Sequence, residues 1–189
     1  LLGEEQSGQA SEVGIELYRK LLKEAIDDLK STNKRPKESF SPEININLPI
    51  FIPENYISDL SLRLSVYRKL GSLIDKTAIN DFIYEMINRF GKIPEEFMNL
   101  IYLFEIKMLC RRAKIIRMDA GSKGYNIHFL NDGKKYPEDF LKWILELKDK
   151  GSLKSDYRLV IKHNNISPED QLVEIYKIAE NLSRIINNI

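Results

Sequence analysis

The 189-residue chain predicts an α+β fold: an N-terminal extended helix, then a compact domain with a small, mostly antiparallel sheet packed on several helices. Apolar residues recur at helical spacing in several long stretches. Short alternating or β-rich runs stand between them, closed by Gly, Pro and Asn-Asp turn signals. After residue 42 the order reads strand, three helices, two strands, helix, strand, helix.

The first helix is expected over 10–30, where Leu17, Tyr18, Leu21, Leu22, Ala25 and Leu29 form one stripe. Residues 32–42 are polar and basic, with Lys34, Arg35 and Lys37 around Pro36, and read as a linker. The chain therefore divides into 1–31, a linker at 32–42, and a domain over 43–189. It begins at Leu1 without an initiator Met, as a piece of a longer protein would.

Residues 43–48 alternate polar and apolar, the pattern of a half-buried strand, and Pro49 and Pro53 bracket an extended stretch after it. A helix follows over 59–74 on Leu62, Leu64, Val66, Tyr67 and Leu70. The cleanest amphipathic helix spans 75–90, with Ile79, Phe82, Ile83, Met86, Ile87 and Phe90 on its apolar face and Gly91 as its stop. Pro94, Glu95 and Glu96 open the next helix, which runs to about residue 114 and ends in Arg111, Arg112 and Lys114, complementing its dipole. It is apolar nearly all round, so it is expected at the centre of the core.

Residues 115–119 and 125–130 read as a hairpin around Gly121-Ser122-Lys123-Gly124, followed by a turn at Asn131-Asp132-Gly133. A helix is expected over 137–150 and a third strand of this half over 157–162. Ser167-Pro168-Glu169-Asp170 then starts the final helix, with a capping serine, proline at the first position and acids in the first turn.

Composition excludes several classes. Apolar residues at 43% and charged residues at 30% describe a packed core with a charged surface. No run approaches the ~18 apolar residues of a membrane span. The single cysteine, Cys110, rules out an internal disulfide and points to a reducing, cytoplasmic setting. A net charge of +1 argues against a dedicated duplex-DNA binder.

No catalytic constellation emerges. Cys110 lies in the helix expected to be most buried, where a thiol is inert. His128 and His163 have no zinc-ligand spacing and read as ordinary strand-face and loop histidines. The Gly121–Gly124 turn lacks the length and the Lys-Ser/Thr ending of a phosphate-binding loop. No catalytic residue, metal or cofactor site is therefore expected, and no enzyme activity in this chain. With the apolar face of 75–90 buried, Asp81, Glu85 and Asn88 fall together on its outer face at i, i+4 and i+7. They form either a plain solvated face or a stripe that docks onto arginines of a partner.

The residues Leu1-Leu2-Gly3-Glu4-Glu5-Gln6-Ser7-Gly8 and Glu12-Val13-Gly14-Ile15-Glu16-Leu17-Tyr18 resemble the bacterial transcription-repair coupling factors. The likeness continues through Glu43–Pro49, Ile52–Ile57, Leu62–Lys69, Ile87–Gly91 and Met118–Gly124, covering residues 1 to about 130. Residues 1–31 would then be the tail of the translocation motif shared with the RecG branch-migration helicase, plus a connecting helix. Gln6 would match the glutamine that couples ATP hydrolysis to movement, inert here without the motor. The resemblance implies a parent that is an ATP- and Mg-dependent translocase on duplex DNA, displacing stalled RNA polymerase and recruiting UvrA for nucleotide excision repair.

In that family the C-terminal domain is regulatory. It docks on the UvrB-like N-terminal module of the same protein and hides the UvrA-binding surface. Glu85-Met86-Ile87-Asn88-Arg89-Phe90-Gly91 matches the segment Glu-Leu-Ile-Asp-Arg-Phe-Gly, whose two acids contact arginines of that module. Glu85 keeps the first acid and Asn88 replaces the second, losing charge-assisted bidentate pairing. Either the lock is weaker here or Asp81 compensates. The alternative function is a nucleic-acid-binding module using Lys34, Arg35 and Lys37 with Arg111, Arg112, Lys114 and Arg117.

Overall fold

The computed structural model describes residues 40–131, 136–164 and 166–187. Gln6, the expected helix over 10–30, linker residues 32–39, and Asp132 and Gly133 of the expected turn lie outside the described residues. The elements are β1 (Glu43–Asn45), α1 (Leu60–Ser72), α2 (Lys76–Phe90), α3 (Glu95–Arg112), β2 (Ile115–Gly121), β3 (Gly124–Phe129), α4 (Glu138–Glu146), a 3-10 turn (Lys148–Lys150), β4 (Gly151–Leu153), β5 (Arg158–Lys162) and α5 (Pro168–Asn187). The fold is α+β, as expected. Within the span 43–189 these residues form two compact units, one over Pro49–Phe104 and the other combining the segment through Leu48 with the chain from Glu105 onward.

The first unit is helical. Asp59 caps α1 by accepting from the Leu62 N–H at 2.6 Å, and Asp75 caps α2 by accepting from the Ala78 N–H at 2.8 Å. Gly91 ends α2 with φ 83°, a conformation a side chain would resist, and its N–H donates to the Ile87 carbonyl at 2.9 Å. Val66, Leu70, Ile79, Phe82, Met86, Phe97 and Leu100 are all buried. Phe82 meets Phe97 edge-on at 6.1 Å. The segment before α1 is tied down by polar contacts: the Ile52 N–H donates to the Tyr67 hydroxyl at 2.8 Å, and Asn99 donates to the Pro49 carbonyl at 3.3 Å.

The second unit is built on a five-stranded sheet in the order β1-β2-β3-β5-β4, with β1 parallel to β2 and the other pairs antiparallel. One sheet face carries Ile115, Met118, Tyr125, Ile127, Phe129, Leu159 and Ile161 into a core with Phe140, Leu172, Ile175, Ala179 and Leu182 of the helices. Alternation places Asn126 and His128 on the other face. Ser167 caps α5, accepting from the Asp170 N–H at 3.1 Å. Gly124, at φ 150°, has no room for a Cβ, which would run into the Ile161 carbonyl of β5.

Three expectations need correction. The helix over 137–150 ends at Glu146, and Lys148 has φ 49°. Residues 151–153 form a strand that was not expected: Gly-Ser-Leu is too short to show alternation and is ordered by pairing with β5. The strand over 43–48 is hydrogen-bonded only over Glu43–Asn45. By contrast α3 is buried along most of its length, through Phe97, Leu100, Ile101, Ile106 and Cys110, although Tyr102 is 44% exposed.

Candidate protein-interaction surface

At about 100° per residue, the buried residues Ile79, Phe82 and Met86 define one side of α2. Asp81, Tyr84 and Asn88 fall opposite, and all are exposed. Glu85 lies about a quarter-turn from the buried side, facing α1, and Ile87 lies on the other flank. The expected stripe of Asp81, Glu85 and Asn88 is thus a shared face, but its members differ in environment. Ile87, expected in the apolar stripe, is 45% exposed. Tyr84 is 67% exposed. Sequence reasoning passed over Tyr84, although an aromatic at the centre of a polar helix face is a legible signal.

Glu85 is already engaged. Its Oε2 accepts from the Lys69 ammonium of α1, and its Oε1 accepts from Arg89 at 3.1 Å. The Lys69 hydrogen bond, more than any other influence, holds its carboxyl below the ordinary glutamate range, and Arg89 adds to the effect. The Arg89 guanidinium also lies over the Phe90 ring, 4.9 Å from its centroid. Asp81 forms no ion pair among the described residues. Asp81 is therefore the acid of this face whose charge faces outward, while that of Glu85 is compensated in place.

The residues of the alternative reading are spread differently. Lys34, Arg35 and Lys37 lie outside the described residues. Arg117 bonds both oxygens of Asp119 at 2.9 Å and approaches Glu43 at 3.8 Å, so much of its charge is spent locally. Arg111 and Arg112 are exposed at the end of α3. Cys110 is fully buried, and desolvation pushes its thiol up to about 12. His128 stands 3.9 Å from Asp119, and His163 packs on the Tyr125 ring at 4.8 Å. Among the described residues no group of three His, Cys, Asp or Glu side chains is placed to hold a metal ion, and no helix is long and apolar enough to cross a membrane.

Residues 46–140, which include the whole of α2, match the family model of the TRCF domain. The chain belongs to the transcription-repair coupling factor family. It is 37% identical over 98% of its length to the transcription-repair-coupling factor of Rickettsia conorii, and 29% identical over 79% of its length to that of Escherichia coli. It spans 16% and 13% of those relatives, respectively. A crystal structure of the C-terminal domain of a transcription-repair coupling factor superposes with a TM-score of 0.69 at 18% identity, covering 80% of this chain and 98% of that one. This coupling-factor chain therefore has the fold of that C-terminal domain.

Proposed function

We propose that this coupling-factor chain is a regulatory, autoinhibitory interaction domain that docks through the outer face of α2 onto the UvrB-like N-terminal module of the same protein. The observation that carries the reading is the composition of that face. It exposes Tyr84 and Ile87 beside Asp81, which has no ion pair among the described residues, and the neutral Asn88, on a helix anchored by fully buried residues. An exposed aromatic with an aliphatic neighbour and a polar rim is the usual make-up of a protein contact. Asp81, Glu85 and Asn88 would meet arginines of the partner. The whole protein, on this reading, is the ATP-dependent translocase that clears stalled RNA polymerase and recruits UvrA. Its ATP and Mg belong to a motor elsewhere in the protein, Gln6 would serve that motor, and this chain is not itself a catalyst.

The test is a calorimetric titration of this chain with the N-terminal module at low and high salt. Asp81→Arg and Glu85→Arg should each weaken binding, and salt should weaken the wild type, because exposed charge pairs are screened. Asp81→Arg is the cleaner variant, since Glu85→Arg also removes the bond to Lys69. Binding that ignores both reversals would overturn the reading.

A further inference from the structure

We infer that Lys69 is a built-in competitor for the docking acid, holding Glu85 in the free chain and yielding it when a cationic partner engages the α2 face. The inference rests on the docking reading above and adds how the strength of that contact is set. A guanidinium pairs best with a carboxylate by taking both oxygens in parallel. In this chain each Glu85 oxygen already has a cation: Lys69 on Oε2 and Arg89 on Oε1. An incoming arginine would also meet two like charges at close range. Each oxygen keeps a second lone pair, but displacing one resident cation removes the like-charge repulsion and frees that oxygen for parallel pairing.

The two residents are not equally held. Arg89 sits one helical turn from Glu85 on the same helix, and its guanidinium has a second contact over the Phe90 ring. Lys69 comes from α1 and is as exposed as Arg89, at 48%, but its ammonium has no other partner among the described residues. A lysine on a flexible stem, held by a single exposed bond, is the easier one to displace. Its displacement costs about what an exposed ion pair contributes, roughly a two- to fivefold factor in affinity. Among the described residues Asp81 and Asn88 face no such competitor, so the part of the contact made by Glu85 is the part that Lys69 weakens. Lys69 thereby keeps the lock releasable.

The experiment is a double-mutant cycle in this chain, titrated with the N-terminal module. Lys69→Ala should tighten binding roughly two- to fivefold. Arg68→Ala, which removes an exposed α1 cation with no ion pair among the described residues, is the equal-charge control and should do less. In a Glu85→Gln background the two alanine variants should be indistinguishable. If Lys69→Ala tightens no more than Arg68→Ala, or weakens binding, the competition is overturned while the docking reading stands. If the wild type does not bind, or binding ignores both Asp81→Arg and Glu85→Arg, the docking reading itself falls and the inference falls with it. A second readout needs no partner: in the free chain Lys69→Ala should move the NMR titration of the Glu85 carboxyl up towards the ordinary range, and an unmoved titration overturns the inference directly.

Discussion

Lys69 of α1 and Glu85 of α2 are sixteen residues apart in sequence and joined side chain to side chain. The bond crosses from one helix to the next at the edge of the face proposed for docking. Its energetic weight is that of an exposed pair, about 0.2–1 kcal/mol. Because Lys69 and Arg89 hold the folded-state carboxyl below its ordinary value, their stabilisation is fully present above the ordinary glutamate range. It is lost as pH falls through the lowered folded value. Thermal melts across the acid range should therefore show wild type and Glu85→Gln converging as the pH drops, with wild type the more stable near neutrality. A gap that widens in acid would contradict this assignment.

Tyr84 should matter more to docking than its charged neighbours. It is the largest exposed side chain at the centre of the face, and truncation of such an anchor costs more than about 1 kcal/mol, roughly fivefold or greater in Kd. Titration of Tyr84→Ala against the N-terminal module should show that loss with little salt dependence. Melting of the variant should be unchanged within about 0.5 kcal/mol, because the ring covers no core.

Gly124→Ala should destabilise the second unit by more than about 1 kcal/mol. The glycine holds φ 150° where β3 meets β5, and a Cβ would collide with the Ile161 carbonyl, which is backbone and cannot swing away. Urea unfolding gives the magnitude. Amide spectra should place the largest shifts along β5 and at the Ser122-Lys123 turn.

Cys110 should resist alkylation in the folded chain. Its thiol is wholly buried and pushed up to about 12, so almost no thiolate exists near neutral pH. Iodoacetamide labelling followed by mass spectrometry should report no adduct in buffer and complete labelling in denaturant. Rapid labelling of the native chain would mean that α3 opens readily.

The helices were legible because each carries its own evidence. Ser167 caps α5 as expected, α1 and α2 start within one residue of the expected 59 and 75, where Asp59 and Asp75 serve as caps, and α3 is buried along most of its length as its apolar surface requires. The face of Asp81, Glu85 and Asn88 was legible too, since 100° spacing is a property of any helix. Spacing could not reveal that Glu85 is occupied, because Lys69 belongs to another helix and only packing brings the two together. The same limit hid β4, whose three residues hold no pattern of their own and become a strand only beside β5.

The sequence by itself thus determined the α+β class, the Ser167 cap of α5, the Gly91 stop of α2, and which residues share the outer face of α2, because these follow from local periodicity and backbone chemistry. Only the tertiary structure decided which of those residues are available. That depends on contacts between segments far apart in the chain: Lys69 of α1 neutralises Glu85 of α2, Arg117 of β2 approaches Glu43 of β1, and Tyr84 and Asp81 are left facing outward.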